Sequence, residues 1–419
     1  MILFGHPGGN PNSHHAALAH LEAGRLEAFV TPWFPSGMEL AFLRTVPGLR
    51  SSAERLARRR FEPLARAQKI QGRFGEWLRL WQRQRGTGDE GLSYQANDWL
   101  MDTMARECRR KTVTAVHSYE DCSLRQFEEA KRLGKVCLYD MPIGYYPAWE
   151  QTQAELVKQF AGWLPSGGLP SSRWVRPEQK EREMELADLV LAPSAFVRDT
   201  ILRFHPNKKV LLAPYGVDLE FWNAKVEIQK AESRNGAAED KSKIRFIYAG
   251  QCSIRKGIPV LLEAWRKAGL LEATLSLVGS WQLAAARRAA LPSGVNFLGP
   301  VSREKLREAF VGADVFVCPT FFEGRSLAVG EALACGLPVL TTVASGMTDL
   351  MDETCGRIVP AGSEEALVEA LQWFSQNRDR LPAMKATARA KAETCTWENY
   401  RRSVSGAVGR TLEAEKLKC

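Results

Sequence analysis

The C-terminal half of the chain alternates short apolar runs with amphipathic ones, and few folds accommodate that alternation. "KIRFIYAG" reads as a buried strand and "IPVLLEAWRKAG" as a helix closed by Gly269. "ATLSLVG" with "WQLAAARRAAL", then "VNFLG" with "SREKLREAFVGA", repeat the pair, and Ser302 is an expected N-cap. "DVFVCPT", a helix over about 326–335 stopped by Gly336 and Pro338, and "LPVLTT" continue it. "SEEALVEALQWF" places Glu364 and Glu365 in a first helical turn, where the helix dipole favours them. Repeated strand–helix–strand units imply an α/β, doubly wound parallel sheet.

The N-terminal half repeats the pattern less regularly. "MILFGHPG", "RLEAFVTPW", "TVTAVHSY", "KVCLYDMP", "DLVLAPS" and "KKVLLAPYG" read as strands, and "SHHAALAHLEAG" and "SLRQFEEAKRLG" as helices between them. A chain of 419 residues exceeds one typical core, so two Rossmann-like domains are expected. Segment 164–173 reads as a surface loop and 224–243 as a polar linker or loop. Ligands of doubly wound sheets bind beyond the carboxyl ends of the strands, so chemistry is expected in a cleft between two such sheets.

Charge is concentrated. The net charge is +9, and residues 44–85, read as a basic helical segment, hold twelve Lys and Arg against Glu54, Glu62 and Glu76, which equals that whole excess. A local anionic partner is the implication. Phe74, Trp77, Leu78 and Trp81 share one face at helical spacing, with Lys69, Arg79 and Arg83 elsewhere around it. Such a helix either lies on an anionic membrane or packs on the first domain. No nucleic-acid reader module is present, so a nucleic-acid partner is not expected. Nine scattered cysteines, with no Cys-x-x-Cys pair, suit a reducing cytosol rather than zinc or redox chemistry. "MILFGHPGGN" does not read as a secretion signal, and no run reaches membrane-spanning length.

Three loops concentrate the candidate residues. In "GHPGGNPNSHH", Gly5, Gly8 and Gly9 let backbone amides approach a ligand ahead of a helix N-terminus, or form only a tight turn. The spacing is not Gly-x-Gly-x-x-Gly, which removes the main signal for a dinucleotide oxidoreductase. In "GQCSIRKG", Arg255 and Lys256 precede a helix N-terminus, which suits a diphosphate, or form only an exposed basic turn. "FFEGRSLAVGEALACGLPVL" puts Glu323 and Glu331 in an otherwise small, apolar run. Glu331 lies one turn beyond Leu327 on one side of its helix. It either meets a ligand's paired hydroxyls or is tied to a backbone amide or an arginine.

On these residues the C-terminal half resembles the retaining glycosyltransferases of family 4, which have the GT-B fold. The resemblance rests on Glu, seven residues, Glu, then "ALACGLPV", with "GQCSIRKGIPVLLEAW", "APYGVD" and "FLGPVSREKL", and it spans about 180–375. It implies an N-terminal acceptor-side domain over 1–217, a sugar-nucleotide domain over 218–395 and a crossover helix over 396–419. It also implies that Glu331 holds the ribose of a nucleoside-diphosphate sugar and that Glu323 contacts the donor sugar. Arg255 and Lys256 would stabilise the leaving diphosphate. Gly250, Gly324, Arg325 and the amides near Ser326 and Leu327 would complete the donor site, with Gly8 and Gly9 facing it from the other domain.

The chain departs from the family pattern in places. Gln251 follows Gly250 where an arginine is common, and Arg325 and Ser326 follow Gly324, which bears on donor choice. Asp140 ends the strand where the family often has a histidine contacting the sugar, and it either takes that place or forms a turn; His117 is the rival for the role, or is structural. No Asp-x-Asp site is present, so a required metal is not expected, nor any cofactor beyond the donor substrate. The acceptor would be a carbohydrate or lipid-linked hydroxyl in polysaccharide or glycolipid synthesis, reached in the cytoplasm or at the inner membrane face. An epimerase or phosphorylase on the same fold, and a sugar-nucleotide sensor, are the alternatives.

Overall fold

The computed structural model describes residues 1–46, 48–73, 75–77, 89–166, 168, 176–223 and 243–417. Two sheets form, both entirely parallel. The first comprises β1 (Ile2–Gly5), β2 (Leu26–Thr31), β3 (Lys69–Gln71), β4 (Ala115–Tyr119), β5 (Val136–Asp140), β6 (Leu189–Ala192) and β7 (Val210–Leu212), in the order β3-β2-β1-β4-β5-β6-β7. The second comprises β8 (Ile244–Ala249), β9 (Ala273–Val278), β10 (Val295–Gly299), β11 (Val315–Cys318), β12 (Val339–Thr342) and β13 (Gly356–Val359), in the order β10-β9-β8-β11-β12-β13.

The central strands are short apolar runs because helices cover both sheet faces, so side chains on both sides are buried. Phe4, Val116 and Leu138 in the first sheet, and Phe246, Phe316 and Leu340 in the second, are essentially inaccessible. In each sheet the strand order reverses once, between β1 and β4 and between β8 and β11. Crevices at such reversal points are where open α/β sheets hold ligands. The loops after β1, β8 and β11 are the three that the sequence singles out.

The two sheets meet through the loops at their carboxyl ends. Ser194, after β6, donates from Oγ to the Gly324 carbonyl across 2.6 Å, while its Oγ also caps Val197 N–H. A Cβ on Gly324 would stand 1.8 Å from the Pro142 carbonyl oxygen, so only glycine allows this approach. Phe322 is buried between Trp149 and Phe196, with ring centroids 5.3 and 5.4 Å away. Full burial of such a ring is worth about 2 kcal/mol.

Two segments cross between the domains. The chain passes over at Ala213–Asp218, and Cys395–Thr396 runs alongside it, with Val217 N–H bonded to the Cys395 carbonyl at 2.9 Å. The terminal helix Trp397–Lys416 then packs Tyr400, Val404, Ala407 and Val408 into the first domain's core. A further bond between domains comes from the helix Tyr146–Gln159. Leu156, Phe160 and Trp163 leave the first domain's core and join that of the second.

Several local expectations are corrected. "WQLAAARRAAL" forms a helix only at Ala285–Ala289, because Trp281 bridges Cys252 and Leu283 is drawn into the core. β3 and β13 are strands that the sequence reading did not assign. Segment 44–85 is not one helix: it contains the end of helix Gly37–Thr45, the helix Arg50–Ala57 and β3. Lys69 is in that strand, with its ammonium bonded to the Ala65 and Ala67 carbonyls. Phe74, Leu78, Arg79, Trp81 and Arg83 lie outside the described residues, as do most of 164–173 and all of 224–242.

Candidate active site

The loop after β8 and the turn after β11 are stitched together by backbone bonds. Phe321 N–H donates to the Arg255 carbonyl at 2.8 Å, and Arg255 Nη1 donates to the Phe322 carbonyl at 2.7 Å. The helix Ile258–Ala268 starts at Gly257, whose φ is 74° and whose absent Cβ would sit 2.0 Å from the Pro319 carbonyl oxygen. Glycine therefore fixes both the turn and its contact with the neighbouring strand end.

This stitching brings Arg255, Lys256 and Glu323 together. Glu323 Oε1 accepts from Arg255 Nη1 at 2.6 Å, contacts the Lys256 ammonium, and has Thr320 Oγ1 at 3.5 Å. Two cations share one carboxylate, so the group carries net positive charge beside a helix N-terminus. Thr320 was not singled out in the sequence, since nothing local marks that hydroxyl.

Glu331 projects from the helix Leu327–Ala334. Val329, Ala332, Leu333 and Ala334 are fully buried, whereas Leu327 is 39% exposed. Glu331 shares the Leu327 side, so the helix has one wet edge. The carboxylate has no hydrogen bond or ion pair among the described residues. Burial pushes its pKa up to about 7, Arg303 opposes that rise and Asp218 adds to it. Arg303 pairs with Asp218 at 3.5 Å, and its guanidinium lies 4.1 Å over the Phe221 ring. The charges around Glu331 thus come from residues far apart in sequence.

Backbone donors are unevenly free. Gly8 N–H is taken by His6 Nδ1 at 2.9 Å, which departs from the expectation that both glycines face a ligand. Burial pushes the His6 imidazole down to about 4, so the ring is neutral, and the same Nδ1 also lies 2.8 Å from the Gly8 carbonyl oxygen. Gly9 N–H has no partner among the described residues. Gly250 N–H bonds to Val278 O and Ser326 N–H to Ser345 O, both at 2.9 Å. The Leu327, Ala328 and Val329 amides have no backbone acceptor among the described residues, as first-turn amides of a helix do.

Two candidates stand elsewhere. Asp140 is 2% exposed and sits in a buried polar cage rather than on the cleft wall. Tyr215 and Tyr400 donate to its two oxygens at 3.4 and 3.5 Å, and His117 Nε2 lies 4.0 Å away. Burial pushes the Asp140 pKa up to about 7, against the lowering effect of the phenols. His117 is fully buried and its Nδ1 meets His20 Nε2 at 2.8 Å. The Arg325 guanidinium is buried and bonded to Asp349 and the Gly346 carbonyl, at 2.7 and 3.1 Å. It is committed to protein partners rather than open to a donor. Among the described residues, no cluster of three His, Cys, Asp or Glu is placed to hold a metal ion.

Residues 243–377 match the family model "Glycosyl transferases group 1". The chain is 27% identical over 219 residues to a sulfoquinovosyl transferase of Arabidopsis thaliana, covering 50% of this chain and 42% of that one. It spans less than two thirds of the length of the curated relatives it matches. Sucrose-phosphate synthase from Thermosynechococcus elongatus superposes with a TM-score of 0.65 at 17% identity, over 99% of both chains. Anabaena HepE in complex with UDP gives 0.61 at 14% identity, over 98% of this chain and 99% of that one. The two domains with their crossing segments are the GT-B fold, and the match to the group 1 glycosyl transferases lies in the domain that carries Arg255, Lys256, Glu323 and Glu331.

Proposed function

We propose that the protein is a retaining glycosyltransferase of family 4, moving a sugar from a nucleoside-diphosphate sugar to an acceptor hydroxyl. The observation that carries this reading is the meeting of Arg255, Lys256 and Glu323 at the strand reversal of the domain matching the group 1 model. The structural neighbour solved with UDP supports a nucleoside diphosphate as the group held there.

In this reading the sugar C1–O bond to the diphosphate breaks and a C1–O bond to the acceptor forms on the same face. A phosphate oxygen takes the acceptor's proton, so no side-chain base is needed. The main demand is stabilising charge that develops on the diphosphate, which preorganised donors supply in a site that excludes water. Arg255, Lys256 and the open amides of the Leu327 helix fill that role. Glu331, unpartnered and on the wet edge, accepts from the ribose hydroxyls. Gly9 offers an amide from the opposite domain.

The acceptor is proposed to be a carbohydrate or lipid-linked hydroxyl used in polysaccharide or glycolipid synthesis at the cytoplasmic face of a membrane. On the helix Gly37–Thr45, Met38 is 83% and Phe42 65% exposed, one turn apart, and Arg50, Arg55, Arg58 and Arg66 in the segment that follows are exposed, as is Arg44, which pairs with Glu54. An apolar tip in a cationic field suits peripheral attachment to an anionic surface. No helix among the described residues is long and apolar enough to cross a membrane.

Incubation with UDP-, GDP- and ADP-sugars, following nucleoside diphosphate release and the anomeric configuration of the product, tests the reading. Release that rises with an acceptor and gives the donor's configuration is expected. Conversion of the donor with no acceptor present would indicate an epimerase instead, and binding without turnover a sensor.

A further inference from the structure

We propose that Arg325 is the positioning residue of the donor turn, tying Phe321–Ser326 to both chain crossings between the domains; this rests on the glycosyltransferase reading of the site. Its guanidinium reaches three residues on two segments at once. Nη1 donates to Asp349 Oδ1 at 2.7 Å and to the Gly346 carbonyl at 3.1 Å, and Nη2 approaches Cys395 Sγ at 3.7 Å.

Cys395 belongs to the junction of the crossings. Its Sγ donates to the Tyr215 carbonyl at 3.1 Å, and its own carbonyl accepts from Val217 N–H. Thr396, next in the chain, bridges Val217 and caps the terminal helix. One side chain therefore reads the outward crossing, through Tyr215 and Val217, and the return crossing, through Cys395.

The other end of the linkage is Glu323, two residues earlier. Gly324 between them is gripped by Ser194 Oγ and packed against the Pro142 carbonyl. Gly346, which Arg325 holds, packs back on that same stretch: a Cβ there would stand 2.1 Å from the Gly324 carbonyl oxygen. The backbone around Glu323 is thus fixed from the first domain through Gly324 and from the crossings through Arg325. A carboxylate that must meet both the cations and a donor sugar depends on such fixing, since small displacements in a reacting site are costly. A surface ion pair would have neither this burial nor this reach: the Arg325 side chain is 2% exposed.

The test compares Arg325→Met, Arg325→Lys and Cys395→Ala with wild type. It measures kcat and KM on the best sugar nucleotide, and Kd for the corresponding nucleoside diphosphate. For Arg325→Met, kcat is expected to fall about tenfold or more with Kd changed less than about threefold, because the diphosphate contacts remain. Arg325→Lys should recover part of kcat. Cys395→Ala, which keeps the Asp349 pair, should lower kcat in the same direction and serves alone if Arg325→Met does not fold. Parallel losses in kcat and nucleoside diphosphate affinity would make Arg325 a donor contact and overturn the proposal. So would wild-type kcat in Arg325→Met, or in Cys395→Ala when that variant stands alone. A wild type that binds no nucleoside diphosphate removes the glycosyltransferase reading, and this proposal with it.

Discussion

Arg255 donates to Glu323 across 2.6 Å, and the same carboxylate oxygen meets Lys256. Both cations thus face a protein carboxylate. In the proposed reading a diphosphate displaces that carboxylate or shares its cations, and it brings more negative charge to the same two groups.

Glu323→Gln should therefore separate binding from transfer. Without the competing charge, nucleoside diphosphate affinity is expected to rise about tenfold, the worth of one charge-assisted hydrogen bond. Transfer should fall about a hundredfold as the donor-sugar contact is lost. Calorimetry with UDP, GDP or ADP beside initial rates checks both. Weaker binding in the variant would remove the competition between Glu323 and the diphosphate.

In the proposed reading Lys256→Met removes one of two cations from the leaving group. A loss of about 10²–10³ in kcat/KM is expected, typical for deleting a preorganised donor to developing charge. Rates within a few-fold of wild type would place the diphosphate elsewhere.

Glu331 sets opposite demands on binding and stability. Its folded pKa of about 7 lies above its ordinary 4.5, so the folded state binds more protons across that interval. Its contribution to stability therefore falls as pH rises from about 4.5 to about 7, and the full cost is present above 7. Glu331→Gln should raise thermal stability at pH 8, on the order of 1–2 kcal/mol after allowance for solvent screening at a partly exposed side chain. The same variant should bind nucleoside diphosphate more weakly and lose the fall in affinity expected of wild type from pH 8 to pH 6. Equal melting temperatures for wild type and variant at pH 8 would contradict the burial argument.

Asp140 is enclosed by phenols, and its pKa is raised by burial. The sign is the same as for Glu331: its stability contribution falls as pH rises from about 3.8 to about 7. Asp140→Asn should keep the cage and nucleoside diphosphate affinity, keep transfer within about threefold, and melt higher than wild type at pH 8.5. A hundredfold loss of transfer with unchanged binding would instead make Asp140 a sugar contact.

Replacing Met38 and Phe42 together by serine should leave transfer to a soluble acceptor unchanged. It should reduce flotation with phosphatidylglycerol-rich vesicles at low salt about tenfold. Flotation of the variant at the wild-type level would move any attachment to another surface.

The sequence exposes the strands as apolar runs because parallel strands covered on both faces can hold little else. That is why β8 to β12 were legible, while β3 and β13 were not. Lys69 and Gln71 in β3, and Arg357 in β13, break the apolar run, so those strands are defined only by pairing with β2 and β12. Local spacing likewise marked Glu323, Glu331, Arg255 and Lys256. Arg325 stood beside them with no sign in the chain that it turns away, because its partners Asp349 and Cys395 lie 24 and 70 residues on.

By itself the sequence determined the alternation of strand and helix, the glycine turns at the strand ends, and two carboxylates in an otherwise apolar stretch. Those follow from local periodicity and backbone freedom, which need no partner. Tertiary structure alone decided that Phe322 docks in the opposite domain, that Glu323 stands between two cations, and that Asp140 is caged while Glu331 keeps a wet edge. A side chain's charge partners and solvent access depend on what the fold brings against it, and for these residues that is chain distant in sequence.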